Sequence, residues 1–339
     1  MAGQKISIKR IAELTGYSVA TVSRVINQNG RFSRETEEKI QKVIDELGYV
    51  PDAAAKSLRT NVSRIVAVIM PTLANELFAK IYTSVQKNLQ ARGYISVLYP
   101  TYEGNDWVSG HTKAHNLVPL LRAINVCGVV VISVRDEYES LDPLQVPVVY
   151  VDCNQNMESG PQKTVIQYDG FQSGQVAAQH LLEKGCTQIA AMTSCLTPTD
   201  CDYYTAVQHT LAASGQTLHF YPQLHQTEPT FSNAVKATGE AWDSGVRFDA
   251  LILPKDDEAA AASLALLQRG VRIPEEVRLI GYDDISSAVN TMVPLTTMRV
   301  ETEQLGSLAA DCLLDMLAGT TAYQRNYKLP LTLIQRQST

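Results

Sequence analysis

The chain has 339 residues, of which 45% are hydrophobic and 19% are charged, and its formal net charge is −6. A chain of this length and composition can build two or three domains with apolar cores, which excludes a disordered or fibrous protein. No apolar run reaches the length of a membrane span and residues 1–10 lack the apolar core of a signal peptide, so we expect a cytoplasmic protein that contacts no membrane.

Residues 8–27, IKRIAELTGYSVATVSRVIN, contain the first two predicted helices. Apolar residues with helical spacing lie on both sides of Gly16. They are Ile8, Ile11 and Ala12 before the glycine, and Val22, Val25 and Ile26 after it. Ser18 occupies an N-cap position, where a side-chain oxygen accepts from the first amides of the second helix. The pattern predicts two short amphipathic helices joined by a tight turn.

The outer face of the second predicted helix is small and polar. It consists of Val19, Ala20, Ser23, Arg24 and Asn27, all directed away from the apolar set. A helix that packs on one side and offers small residues with one arginine on the other fits the major groove of DNA. The prediction is a helix-turn-helix, and the alternative from these residues alone is two ordinary helices of a globular core.

A third helix and a short hinge complete the predicted N-terminal part. Ser33 caps a helix that has acidic residues in its first turn and ends at Gly48, which closes an all-α headpiece over residues 1–50. Residues 51–62 are rich in alanine, but a helix of this length is unstable alone in water. We therefore predict a hinge helix that forms only when a partner holds it.

Residues 63–339 alternate between apolar β-branched runs and amphipathic stretches. The first series comprises strands 65–70, 95–99, 129–132 and 146–151 and helices 77–92 and 111–122. The second comprises strands 188–192, 218–221, 251–253 and 278–282 and helices 170–184, 202–214, 231–243 and 258–269. A tail follows, with an irregular stretch at 294–298, a helix at 303–317 and a strand near 329–334.

This alternation predicts parallel sheets covered by helices, and its two series predict a two-lobed α/β core. We place the first lobe at about 63–163 and 300–326, and the second at about 164–299 and 327–339. Ligands of such folds bind at the carboxyl ends of the strands.

The charges are distributed unevenly along the chain. Before Ser33 the only acid is Glu13, against five basic residues, Lys5, Lys9, Arg10, Arg24 and Arg31. An acidic remainder of the chain weakens nonspecific binding to DNA phosphates, while the basic N-terminal part can still bind DNA.

The cysteines form no CxxC pair and no metal-binding spacing with histidine. They are Cys127, Cys153, Cys186, Cys195, Cys201 and Cys312. We expect reduced thiols and neither a metal nor a cofactor, and a redox pair of Cys195 with Cys201 stays open as an alternative.

Motifs in the same order along almost the whole chain resemble the lactose-repressor/galactose-repressor family of bacterial transcription regulators. They are ATVSRVIN at 20–27, LGYVP at 47–51, AAAKSL at 53–58, IVAVIMPTLANELF at 65–78, HLLEKG at 180–185, GYDD at 281–284 and PLTT at 294–297. The resemblance implies a homodimer that binds a pseudo-palindromic double-stranded DNA operator. It also implies a core like that of periplasmic sugar-binding proteins, which closes around a small-molecule carbohydrate.

The resemblance assigns roles to residues of the headpiece and hinge. Val19, Ala20 and Arg24 match base-reading positions, where arginine pairs with guanine. Phosphate contacts are expected from Thr21, Ser23 and Asn27, beside the capping Ser18. Leu58 matches the family's minor-groove wedge, with Arg59 next to it. Asp52 and Lys56 depart from the family pattern, which usually has Asn and Arg there, and we expect Asp52 to cap the hinge helix.

Effector contacts are likewise implied by the resemblance. In the first lobe they are Asn75, Leu77, Phe78 and Asp152, and in the second they are Tyr203, Lys255 and Asp283. Phe78 is equally explained by packing, and Asp152 by capping of a loop.

Two of these positions depart from the family. Tyr203 replaces an arginine that commonly clamps sugar hydroxyls, and it could stack on a sugar face. Lys255 replaces an asparagine, which favours an anionic effector such as a sugar phosphate or sugar acid. The alternative for Lys255 is an ion pair with Asp256, Asp257 or Asp283.

Four functions compete on this sequence. The first is a ligand-switched repressor of carbohydrate genes. The second is a transport sugar-binding protein, which would have a signal peptide and no headpiece. The third is an enzyme using the acids near Asp256 and Asp283, which the lack of a partner His or Cys, a phosphate loop or a nucleophile elbow argues against. The fourth is a family member that has lost ligand control.

Overall fold

The computed structural model describes residues 7–26, 29–49, 63–101, 117–133, 140–153, 159–193, 201–225, 230–320 and 326–339. The chain divides into two compact units, Met1–Ser63 and Arg64–Thr339. Among the described residues, no helix is long and apolar enough to cross a membrane.

The N-terminal unit is a bundle of three helices: α1 (Ile8–Thr15), α2 (Val19–Ile26) and α3 (Arg34–Leu47). Gly16 and Gly48 end α1 and α3 with φ of 76° and 62°, a left-handed conformation that glycine adopts without strain. The helices bury one small core of Ile11, Ala12, Val22, Val25 and Ile40. The predicted helix pair is confirmed, although Ile8 and Ile26 pack only at the edge of this core.

The first sheet of the larger unit has six parallel strands in the order β11-β5-β4-β3-β1-β2. The strands are β1 (Ile65–Met70), β2 (Ile95–Pro100), β3 (Gly128–Ile132), β4 (Val148–Val151), β5 (Lys163–Tyr168) and β11 (Asn326–Leu329). Helices α4 (Glu76–Ala91), α5 (Leu117–Ala123) and α11 (Thr302–Leu317) accompany this sheet. We call this part the first lobe.

The second sheet has the strand order β12-β10-β9-β8-β6-β7, and only the β10–β12 pair is antiparallel. Its strands are β6 (Ile189–Thr193), β7 (Leu218–His225), β8 (Ala250–Ile252), β9 (Arg278–Asp283), β10 (Thr296–Arg299) and β12 (Thr332–Ile334). Its helices are α6 (Gly170–Glu183), α7 (Asp202–Ala213), α8 (Phe231–Asp243), α9 (Asp256–Leu267) and the short α10 (Ser286–Val289). This part is the second lobe.

The chain crosses between the two sheets after β5, after β10 and after β11. The amide of Asp169 donates to the carbonyl oxygen of Leu329 at 2.8 Å, which ties two of the crossing segments together. Parallel strands of both lobes therefore end near the crossings, and the loops that follow them are available to form a common site.

The structure moves the predicted lobe boundaries. Strand β5 belongs to the first sheet up to Tyr168, so the first lobe extends past residue 163. The strand predicted near 329–334 is two strands, β11 and β12, in different sheets. Strand β5 was not predicted, because it has few apolar residues and Gln167 interrupts them. Its hydrogen bonds to neighbouring strands identify it as a strand. The helix predicted at 111–122 is described only from Leu117.

Candidate functional site

Three of the residues predicted to face away from the headpiece core, Val19, Ala20 and Arg24, are exposed on α2. Val19 is 42% exposed, whereas Val22 and Val25 are buried. Thr21 and Ser23 are half-buried. The helix thus packs by one side and presents a small surface with an arginine on the other.

Ser18 holds the start of α2 in place. Its Oγ accepts a hydrogen bond from the Thr21 amide at 3.1 Å, and the two hydroxyl oxygens lie 2.9 Å apart. This geometry confirms the predicted N-cap. It also leaves the hydroxyls of Ser18 and Thr21 at the exposed N-terminal end of the helix, where a phosphate could be met.

Arg24 differs from other basic residues of the headpiece in its surroundings. Arg10 pairs with Glu13 at 2.9 Å, and Arg34 pairs with Glu38 at 2.9 Å. Within the described part of the chain, Arg24 forms no such ion pair. Its side chain is exposed.

Several predicted sites lie outside the described residues. These are Asn27 at the end of the recognition helix, Asp52, Lys56, Leu58 and Arg59 of the hinge, and Cys195. Their assigned roles stay predictions.

Asn75 caps α4 at the edge of the first lobe. Its Oδ1 accepts from the amides of Leu77 at 2.9 Å and Phe78 at 3.3 Å, which leaves the side-chain NH₂ as the group with donors to offer. Leu77 is only 5% exposed and belongs to the hydrophobic core, and Phe78 packs against that core. The effector contact of Leu77 stays a prediction, and the contact that the structure shows is packing, because its place in the first turn of α4 directs it into the core.

Ser133 and Asp152 follow neighbouring parallel strands, β3 and β4, at the same edge of the first sheet. The Ser133 hydroxyl donates to Oδ2 of Asp152 at 3.1 Å. Both residues have φ of 51°, a left-handed conformation uncommon outside glycine and often found at functional sites. Asp152 therefore caps a loop and at the same time places a carboxylate at the strand end.

Asp283 is the corresponding carboxyl group of the second lobe. It ends β9, is 7% exposed and has φ of 104°. Burial raises the pKa of this carboxyl well above its usual range, the negative charge of Asp256 adds to the effect, and Lys255 opposes it. The charge of Asp152 also raises this pKa. A charge of the first lobe thus acts on a buried carboxyl group of the second lobe.

Lys255 is half-buried at the start of α9, with an extended backbone. Its positive charge lowers the pKa of Asp283, against the effect of burial. One of its predicted ion-pair partners is engaged elsewhere. Asp256 is fully buried, and its carboxylate accepts from the Thr297 hydroxyl at 2.6 Å and from the Ile285 amide at 2.9 Å.

Tyr203 packs in the first turn of α7 rather than presenting a ring face. It is 5% exposed and meets Tyr204 and Tyr282 edge to face, with ring centroids 5.5 Å and 5.3 Å apart. Little of the ring is left to stack on a sugar, so the predicted stacking contact is corrected. Its hydroxyl has no hydrogen-bond partner among the described residues. Burial raises the pKa of this hydroxyl, which keeps it a neutral donor.

Sequence reasoning missed Ser133 and Tyr282 as parts of this site. The pKa of Tyr282 is raised by burial and by the charges of Asp152 and Asp283, so its hydroxyl is subject to acids of both lobes. The signal for Tyr282 was its position directly before Asp283 in the GYDD motif. Ser133 had the weaker signal of following a buried strand.

The described cysteines and acids give no sign of metal chemistry. Among the described residues, no disulfide bond is formed by the cysteines, which are Cys127, Cys153, Cys186, Cys201 and Cys312. Burial raises the pKa of Cys127 to about 11, which makes its thiol unreactive at neutral pH. Within the described ranges, no three His, Cys, Asp or Glu residues are grouped so that they could hold a metal ion.

Two family models match the chain. Residues 7–52 match the model of bacterial regulatory proteins of the lacI family, and residues 178–339 match a periplasmic binding protein-like domain. The first match covers the helix-turn-helix, and the second covers most of the second lobe and the crossings to the first.

Curated relatives match over nearly the full length. The ribose operon repressor of Escherichia coli (strain K12) is 28% identical over 338 residues, covering 98% of this chain and 99% of the relative. The HTH-type transcriptional repressor PurR of Haemophilus influenzae (strain PittEE) is 28% identical over 340 residues, covering 97% and 98%.

A solved structure supports the same fold. The crystal structure of the lac repressor dimer bound to operator and the anti-inducer ONPF has a TM-score of 0.82 and 22% identity, with 99% of each chain covered. The curated relatives are named as transcriptional repressors rather than as enzymes. Together with the helix-turn-helix and the two-lobed core, the family models and these relatives show that the chain belongs to the lacI family of bacterial regulatory proteins.

Proposed function

We propose that this protein is a cytoplasmic transcription repressor of carbohydrate-utilisation genes that binds a pseudo-palindromic operator as a homodimer and responds to a small-molecule effector between its lobes. The observation that carries the proposal is the exposed face of α2, with Val19 and Arg24 outward and Val22 and Val25 buried. The relatives reported above are named as repressors, one of them of a ribose operon, which supports the direction of control.

On DNA, Arg24 donates two hydrogen bonds to O6 and N7 of a guanine, a contact that discriminates against other bases by about 1–3 kcal/mol. Val19 and Ala20 make apolar contacts, such as one with a thymine methyl group. Ser18, Thr21, Ser23 and Asn27 position the helix on phosphates.

The hinge acts at the centre of the operator in this proposal. Leu58 and its dimer mate insert between base pairs and kink the duplex, and Arg59 contacts the minor groove or a phosphate. DNA and the dimer together supply the contacts that make residues 51–62 helical, so that folding of the hinge is coupled to binding.

The effector lies against the strand ends of both lobes. Its contacts in the proposal are Asn75, Phe78, Asp152, Tyr203, Lys255 and Asp283. Asp283 is buried, and the charge of Asp152 raises its pKa further, while Lys255 is the cation that opposes this effect. A sugar hydroxyl can donate to the carboxylate of Asp152 and can both donate to and accept from Asp283, whose raised pKa favours the neutral acid, without any charge on the ligand. We therefore favour a neutral sugar over a sugar phosphate or sugar acid.

Selection of bound sequences from random DNA at a fixed, stated salt concentration tests the operator proposal. The expected result is a two-fold symmetric site with a flexible centre. Recovery of no preferred sequence, both without additives and with a panel of sugars, would refute sequence reading by the helix-turn-helix. An Arg24→Ala protein run in parallel shows which base position the arginine reads.

A second candidate is a regulator that has lost ligand control. The burial of Tyr203 and Asp283 favours it, because a buried side chain offers little surface to a ligand. Thermal shift against neutral sugars, sugar phosphates and sugar acids separates the two candidates, since a ligand of the folded state raises the melting temperature. A rise with any of these compounds excludes the second candidate.

A further inference from the structure

Glu76 of the first lobe binds the start of α10 in the second lobe. The Ser286 amide donates to both carboxylate oxygens of Glu76, each at 3.1 Å, and the Ser286 hydroxyl donates to Oε1 at 2.9 Å. On its other side, Oε1 pairs with Nζ of Lys80 at 2.7 Å. One carboxylate thus joins helix α4 to a loop of the opposite lobe.

Helix α10 has no side-chain cap of its own. The residue at its N-cap position is Ile285, whose side chain cannot accept a hydrogen bond. The first amides of a helix lack intrahelical partners, and here the carboxylate from the first lobe supplies one. The start of α10 is therefore completed only when the lobes are in this arrangement.

The four residues 283–286 are each held by a different part of the core. Asp283 lies in the effector site. The carboxylate of Asp284 pairs with Arg299 at 2.6 Å and with Arg336 at 2.5 Å, on segments next to the lobe crossings. The amide of Ile285 donates to buried Asp256 at 2.9 Å.

The backbone of this segment has little freedom to absorb a displacement. Asp283 and Asp284 have φ of 104° and 58°, and such strained conformations persist only where surrounding contacts determine them. If Asp283 moves, Ser286, three residues further on, therefore moves with it, because the backbone between them is not flexible.

We propose that Glu76 and Ser286 form an interlobe latch, and that the segment 283–286 couples this latch to Asp283 in the effector site. The latch holds the lobes in one arrangement. An effector that moves Asp283 also shifts the latch, and by linkage a change in the latch alters effector and operator affinity. This inference rests on the proposed function, because that function assigns Asp283 to the effector.

Hydrogen exchange of the full chain tests the latch without knowledge of the effector. Exchange is followed in two peptides. The first covers residues 285–290 and contains the Ser286 amide that donates to Glu76. The second covers residues 299–303, next to a crossing between the lobes, and its Val300 amide donates to the Asp283 carbonyl oxygen at 3.4 Å. Glu76→Ala removes all three contacts with Ser286, while Asn75 still caps α4, so the variant keeps its fold.

Lys80→Ala is the matched control, because it removes the ion pair with Glu76 and leaves the Ser286 contacts intact. We expect exchange about threefold faster or more in both peptides of Glu76→Ala and unchanged exchange in Lys80→Ala. Ser286→Ala, which keeps the amide contact, gives an intermediate result. Unchanged exchange in the 299–303 peptide of Glu76→Ala overturns the proposal, because the contact then only caps α10.

Operator binding provides the second readout, measured with the duplex recovered by selection. Glu76→Ala is expected to change the dissociation constant about fivefold or more, and Lys80→Ala by less than about twofold. Altered exchange with unchanged operator affinity contradicts the coupling. If the wild-type protein selects no DNA sequence, the proposed function fails, while the exchange comparison still decides whether the latch holds the lobes.

Discussion

Replacing Gly174 with alanine is predicted to destabilise the core and displace Tyr203, because α6 and α7 meet at this glycine. A Cβ on Gly174 would lie 2.2 Å from the Tyr203 carbonyl oxygen and 2.9 Å from the Ala206 Cβ. Nonbonded atoms pack best at about 3.5–4.0 Å, so the two helices must separate by roughly 1 Å. The obstacle is backbone, which no change of rotamer can relieve.

Such overpacking costs about 1–3 kcal/mol and sometimes more. A backbone obstacle between two helices places Gly174→Ala near the upper value, about 3 kcal/mol, which corresponds to a fall of roughly 6 °C in melting temperature for a chain of this size. Urea unfolding and thermal melts measure both quantities. A sugar identified by thermal shift should also bind more weakly, because Tyr203 moves with its carbonyl group.

Gly160→Ala is the matched control, since the nearest neighbour of a Cβ there is the Lys163 Cβ at 4.0 Å. It should change the free energy of unfolding by less than about 0.5 kcal/mol. If Gly174→Ala is as stable as this control, α6 and α7 separate at little cost in free energy. Their close packing at Gly174 then does not determine the position of Tyr203.

Three further predictions address the two sites. Arg24→Ala should weaken operator binding about 5- to 100-fold and relax one base preference in a selection experiment, and unchanged affinity and specificity would contradict base reading. Lys255→Ala should selectively weaken any anionic ligand in calorimetry, and an equal loss for neutral sugars would show that its charge does not select the ligand. Burial raises the pKa of Asp256 to about 7, so its contribution to stability is present at low pH and is lost as the pH rises from about 4 through 7. Asp256→Asn should therefore make the free energy of unfolding, measured by urea titration, fall less steeply over this pH range. If the free energies of the two proteins fall equally with pH, Asp256 is not the group responsible.

The headpiece could be predicted from its sequence because its determinants are local. Ser18 and Ser33 cap the helices that follow them, and Gly16 and Gly48 end helices where φ is positive. The spacing of Val22 and Val25 decides which face of α2 is buried. Propensity and periodicity act over a few residues, so these features are visible without the fold.

The surroundings of the predicted effector residues could be predicted less well, because burial and charge there depend on packing. The folded core encloses Leu77 and packs Tyr203 against Tyr282, and no local pattern showed either contact. Nor did a local pattern show that the carboxylate of Asp256 would accept from Thr297 and the Ile285 amide. Which of several possible partners a side chain contacts is decided only when the strands bring those residues together.

The sequence by itself determined the order of the helices and most strands, the capping residues and the exposed face of α2, since each follows from contacts between near neighbours in the chain. Tertiary structure alone decided the sheet membership of β5 and β11, the burial of Asp283, and the contact of Glu76 with Ser286. Those features join residues far apart along the chain. Their free energies depend on distance and burial, and neither quantity is defined until both lobes have folded.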